Sequence, residues 1–104
     1  MDRTIPPDGL SLDAPGQRII DVRRPADLDL SVERLSGSVW LDPSEVDSWC
    51  QSLSDGIDVI VYCVRGGSVS NSVVDALHAK GVRARYIEGG IEGWKAIGGS
   101  VVPK

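Results

Sequence analysis

The residue with the clearest chemical potential is Cys63, because of the five residues after it: Val64-Arg65-Gly66-Gly67-Ser68. A free cysteine thiol titrates near 8.5, so only about 3% of it is the nucleophilic thiolate at pH 7. Nucleophilic work needs surroundings that favour S⁻. The loop after Cys63 has the composition to provide them. Gly66 and Gly67 allow backbone angles that a Cβ resists, so amides 64–68 can turn inward as a nest for an anion. A helix starting at Ser68 would add the positive end of its dipole. Ser68 contributes a hydroxyl donor, and Arg65 a fixed charge that can steer an anion. Such a cradle suits a sulfur-bearing anion or the terminal sulfur of a persulfide, Cys–S–S⁻. The plainer reading of Cys63 is a small buried hydrophobe ending a strand. The arrangement strand, cysteine, glycine loop, helix favours the functional one.

The elements that must position this loop can be read from the pattern. Asp58-Val59-Ile60-Val61-Tyr62-Cys63 is apolar without alternation and rich in β-branched residues, as in a strand buried on both faces. After it, Val69, Val73, Val74 and Leu77 mark one face of a helix from Ser68 to about Lys80, stopped by Gly81. Arg18 to Val22 and Arg83 to Ile87 read as further strands, and Ser38 to Leu41 as another short one. Asp42-Pro43-Ser44-Glu45 has the residues of a helix start, and the helix is predicted to run through Val46, Trp49, Cys50 and Leu53 to a stop at Asp55-Gly56. Gly89-Gly90 breaks the strand ending at Ile87, and Ile91 to Ile97 forms a short final helix around Trp94. Residues 1–16 are an irregular entry with at most a short turn or strand, and residues 25–36 a loop with one helical turn. Strands alternating with helices across short connections imply an α/β fold: a mainly parallel sheet of about five strands with helices on both faces. Ligands in such sheets sit at the carboxyl ends of strands, and Cys63 stands at one.

Three stretches make the chain resemble a single-domain rhodanese, a sulfurtransferase. They are Asp21-Val22-Arg23, Val61 to Ser68, and Tyr86-Ile87-Glu88-Gly89-Gly90-Ile91-Glu92-Gly93-Trp94. Their order and spacing match that family along residues 17–99. The resemblance implies the rhodanese fold. It implies that Cys63 takes sulfane sulfur from a donor such as thiosulfate, forming a persulfide that cyanide, a thiol or a protein acceptor then discharges. It implies that Cys63 to Ser68 form the substrate loop, and that Asp21 and Arg23 belong to a motif buttressing it from the neighbouring strand. No metal or organic cofactor is needed. Many members carry Arg at the sixth loop position followed by Ser. Here Ser68 and Val69 occupy those places, leaving Arg65 as the loop's only basic residue and the preferred donor open.

Other functions are weighed against this one. Cysteine phosphatases place Arg after Cys and five residues, where it grips phosphate in a bidentate way; here that place is Val69, which disfavours a phosphatase or arsenate reductase. A non-turnover sulfur carrier or regulatory module acting on a protein partner is the alternative from another class. Cys50 lies on an apolar helical stripe and reads as core packing, with a resolving thiol as the sharper alternative. No Cys-x-x-Cys pair exists for a dithiol. One histidine, His78, sits well down the helix and reads as exposed rather than as a base, and with two distant cysteines it makes no zinc site. Asp21 reads as support rather than direct chemistry, Arg23 as its partner or a site residue, and Arg24 as surface. Trp94 reads as a packing anchor.

Composition sets the outer bounds. A chain of 104 residues with 25% charged and 41% hydrophobic residues is expected to form one globular domain over residues 1–104. Its 11 basic and 15 acidic residues give a net charge of −4, and it has no Phe, two Tyr and three Trp. Both facts argue against direct nucleic-acid binding. No apolar run reaches the roughly 18 residues of a membrane span. The first residues lack a basic stretch followed by an apolar one, so no secretory signal is expected. Two cysteines fit a reducing compartment, and the cytoplasm is the expected location.

Overall fold

A computed structural model describes residues 3–53 and 56–104. The central sheet is built from β1 (Thr4–Ile5), β2 (Gln17–Asp21), β4 (Val39–Trp40), β5 (Asp58–Tyr62) and β6 (Arg83–Ile87) in the order β1-β6-β5-β2-β4. Every pairing in it is parallel. A small antiparallel ladder joins β3 (Glu33–Leu35) to β7 (Val101–Pro103). The helices are α1 (Pro25–Leu30), α2 (Val46–Trp49), α3 (Ser68–Ala79) and α4 (Gly90–Ala96), with 3-10 turns at Pro7–Gly9, Pro43–Glu45 and Cys50–Ser52.

Side chains alternate across a strand, so the two faces of this sheet bury different residues. Ile19, Ile60, Tyr62 and Ile87 pack with Ile91 and Trp94 of α4. Ile20, Val22, Val59, Val61 and Ala84 pack with Val73, Val74 and Leu77 of α3 and with Cys50. The unbroken apolar run of β5 therefore serves two cores. The predicted mainly parallel sheet with helices on both faces is the observed one. The strand order puts β5 in the middle, with β2 on one side and β6 on the other. The ends of those three strands meet around Cys63.

The local elements differ from expectation in a few places. The predicted helix from Asp42 through Leu53 is two 3-10 turns flanking one turn of α-helix. Asp42 does cap the start, its Oδ1 accepting from the Ser44 amide at 2.9 Å. Further on, Ser52 Oγ donates to the Trp49 carbonyl at 2.7 Å and Gln51 Nε2 to the Asp47 carbonyl at 3.2 Å. Side chains thus compete for the carbonyls a regular helix would use. The Asp55 stop lies outside the described residues. The loop expected over residues 25–36 contains both α1 and β3, and β7 was not foreseen. None of the three has alternating or helical apolar spacing, because α1 has no buried residue and β3 and β7 mainly pair with each other. Helix α3 ends as read: Gly81 has φ +78° while the Val82 amide reaches back to the Leu77 carbonyl at 3.0 Å.

Candidate active site around Cys63

Cys63 directly follows β5 and is only 6% exposed. What exposure it has opens into a cavity of about 380 Å³ lined also by Val64, Arg65, Gly67, Ser68 and Val69 of the loop and by Arg24 and Asp27 of the β2–α1 junction. The loop is shaped from outside by the first turn of α4. The Ile91 amide donates to the Cys63 carbonyl at 3.0 Å and the Glu92 amide to the Val64 carbonyl at 3.1 Å. In a trans peptide the N–H points opposite to the C=O of the same plane. Pulling these two carbonyls toward α4 therefore turns the amides of Val64 and Arg65 the other way. Among the described residues, none of the amides 64–68 donates to a protein acceptor. Val64, Arg65, Gly67 and Ser68 line the cavity together with Cys63, so their amides are left for solvent or a bound anion.

Three glycines make this approach possible. Gly66 has φ +71°, and a Cβ there would lie 3.0 Å from the Gly89 nitrogen and the Ile87 oxygen. Gly90 has φ +60°, and a Cβ on it would sit 2.6 Å from the carbonyl carbon and oxygen of Val64. Gly89, at φ +77°, begins the turn that delivers α4 to the loop. Gly89-Gly90 breaks the strand as read, since β6 ends at Ile87 and α4 begins at Gly90, and it is also the surface on which the Cys63 loop packs. The signal available in the sequence is the stretch Tyr86 to Trp94 on which the resemblance rests; that β6 lies beside β5 comes from the strand order.

Asp21 and Arg23 lie on the other side, at the end of β2, and form a buried ion pair in which each side chain is 1% exposed. Arg23 Nη2 donates to Asp21 Oδ2 at 2.6 Å and Nε to both carboxylate oxygens at 3.0 Å. Nη2 also donates to the Glu33 carbonyl at 2.9 Å, and the Arg23 amide to Asp21 Oδ1 at 3.0 Å. Burial works against the guanidinium charge, but the Asp21 hydrogen bonds and charge outweigh it, so Arg23 holds its proton more tightly than an ordinary arginine. The guanidinium carbon lies 5.7 Å from the centroid of the Tyr62 ring. Burial, helped by the Asp21 charge, raises the Tyr62 pKa above the ordinary tyrosine value. The pair therefore braces the end of β2 and the β3 segment. Asp21 spends its carboxylate on Arg23 rather than on loop amides, and Arg23 turns into the protein rather than toward Cys63.

Arg24, read as surface, is exposed but lines the Cys63 cavity, and sequence reading missed it. Its neighbour Arg23 is locked, and Pro25 confines Arg24 to extended backbone, as its φ −62° and ψ 151° show. Cys50 is buried in the α3-side core, its Sγ 3.4 Å from the Asp47 carbonyl. His78 is half-buried rather than exposed, with Nε2 2.8 Å from the Ala84 carbonyl, and so ties α3 to β6. Trp94 is buried, and its Nε1 donates to the Ser100 carbonyl at 3.0 Å.

The model of the rhodanese-like domain matches residues 10–97. The chain belongs to the rhodanese-like domain family. Among solved structures, a rhodanese-related protein from Thermoplasma volcanium is 27% identical, with 96% of this chain and 97% of that one covered at a TM-score of 0.81. A Staphylococcus saprophyticus protein is 26% identical, with 90% of this chain and 93% of that one covered at a TM-score of 0.74. A Rhodopseudomonas palustris protein described as a possible tyrosine phosphatase shares the fold at 18% identity, with 97% and 85% covered and a TM-score of 0.78. No curated protein matches the sequence significantly. Among the described residues, no helix is long and apolar enough to cross a membrane.

Proposed function

We propose that this rhodanese-like protein is a sulfurtransferase in which Cys63 carries the sulfur as a persulfide. The observation that supports this most directly is the run of unpartnered amides, 64–68, directly after Cys63 in a loop that lines the same cavity. The Cys63 thiolate attacks the outer sulfur of a donor such as thiosulfate. The new S–S bond forms as the donor's own S–S bond breaks, and sulfite leaves with the electron pair. The amides bear on negative charge throughout, first on the thiolate and then on the terminal persulfide sulfur. A thiophile, whether cyanide, a small thiol or a cysteine of a partner protein, then attacks that terminal sulfur and restores Cys63. The two cysteines are unpaired, in keeping with a reducing cytoplasm where thiol acceptors abound. A phosphatase is disfavoured because Val69 stands where a phosphate-gripping arginine would be needed.

The test is intact-mass spectrometry after thiosulfate treatment of wild type and Cys63→Ser. The wild type gains about 32 Da, the mass of one sulfur atom on its thiol, and the variant gains nothing. A wild type that takes up no sulfur, or takes it up on Cys50, overturns the proposal. Slow discharge to cyanide with rapid discharge to one protein partner would identify the carrier mode of the same chemistry.

A further inference from the structure

The charged side chains that line the cavity above Cys63, the thiol itself apart, have a net sign opposite to that of the chain as a whole. They are Arg24, Arg65 and Asp27, a local balance of 2 − 1 = +1, on a protein of net charge −4. The two guanidinium groups come from separate segments, Arg65 from the loop and Arg24 from the start of α1. Both residues are exposed, and neither forms an ion pair among the described residues. Arg24 also borders an adjoining groove, with Asp42, Val46, Val69 and Val73. Its backbone is fixed on three counts: the locked Arg23 before it, Pro25 after it, and its own carbonyl, which accepts from the Leu28 amide at 2.9 Å.

We infer that Arg24 is a positioning residue for the sulfur donor, pairing with Arg65 to hold the oxyanion end of the donor while its outer sulfur reaches Cys63. The inference rests on the sulfur-transfer reading above. For thiosulfate, the Cys63 thiolate and the S–SO₃²⁻ dianion become Cys63–S–S⁻ and sulfite, SO₃²⁻, so charge and atoms balance. The departing sulfite keeps the oxyanion that the two arginines hold, so their contribution falls mainly on binding. Asp27, on the first turn of the same helix, opposes them.

The experiment measures the rate of the persulfide mass gain against thiosulfate concentration at low salt, in the full chain. Arg24→Ala raises the half-saturating concentration roughly tenfold, as expected for one unit charge acting on a dianion across a partly solvated cavity, and changes the maximal rate little. Arg24→Lys restores most of the affinity, and Asp27→Asn shifts half-saturation the opposite way, which a structural role for Arg24 would not produce. Arg18→Ala is the control: it removes the same charge from an exposed site at the start of β2 and leaves half-saturation unchanged. A wild type that loads normally while Arg24→Ala loads like it, or no worse than Arg18→Ala, overturns the role of Arg24 alone. A wild type that takes up no sulfur overturns it together with the sulfur-transfer reading.

Discussion

Replacing Gly90 by alanine tests whether the Cys63 loop is held in shape by α4. The added Cβ would meet the Val64 carbonyl group at 2.6 Å, and the Cys63 carbonyl oxygen as well, against backbone that cannot rotate aside. The φ of +60° adds strain of its own, about 1–2 kcal/mol for a residue with a Cβ in the left-handed region. Relief of the clash requires α4 to withdraw, which breaks the Ile91-to-Cys63 and Glu92-to-Val64 hydrogen bonds, each contributing about 1 kcal/mol. The combined cost is about 3–4 kcal/mol, a large share of the roughly 5–15 kcal/mol that holds a small domain folded. Gly98 provides the reference, since it has φ +78° and a methyl group placed on it would have nothing within 4 Å. Gly98→Ala should therefore cost only the strain, about 1–2 kcal/mol. Urea unfolding of the two variants gives both numbers, and thiosulfate loading shows whether Cys63 still reacts in the part of Gly90→Ala that remains folded. If Gly90→Ala lies within experimental error of Gly98→Ala in stability and loads sulfur at the wild-type rate, the account of how α4 turns the loop amides inward is wrong.

The buried polar groups lead to two more expected outcomes. Asp21→Ala leaves the Arg23 guanidinium buried without its carboxylate and should cost about 3–5 kcal/mol, while Asp21→Leu with Arg23→Met should recover most of it; chemical denaturation of both variants checks this, and a mild single variant would refute the pairing as the brace of β2. Because the folded-state pKa of Tyr62 is raised, the native protein keeps this proton where the unfolded chain releases it. Its contribution is complete below the ordinary tyrosine value and is lost as pH rises from there through the folded pKa. Unfolding free energy measured from about pH 8 to 11 should turn downward at about pH 10, the ordinary tyrosine value, and Tyr62→Phe should lessen that fall; an unchanged slope in the variant would rule out Tyr62 as its source.

The parts that the sequence alone determined are those written in short, local patterns. β5 announces itself because a strand buried on both faces needs an apolar residue at every position, and Val59 to Tyr62 are all fully or almost fully buried. Helix α3 is legible from the spacing of Val73, Val74 and Leu77 and from the glycine at its end. The Cys63 loop is legible because glycines just after a cysteine at a strand end permit the tight turn that leads into the next helix. Alternation of strands and helices was enough for the parallel sheet. By contrast, α1, β3 and β7 left no such trace, since α1 buries nothing and β3 and β7 find each other across most of the chain's length.

The tertiary structure decided which distant groups meet at Cys63. That β6 and β2 flank β5 is a property of strand order, and no residue of β5 specifies its neighbours by local preference. Only that order brings Gly89-Gly90 against the Cys63 loop, where the Ile91 and Glu92 amides hold the Cys63 and Val64 carbonyls, and sets the exposed Arg24 beside the cavity. Periodicity and backbone freedom act over a few residues and can be read from them. Hydrogen bonds and charges act through space, so their partners are settled only when the chain has closed on itself.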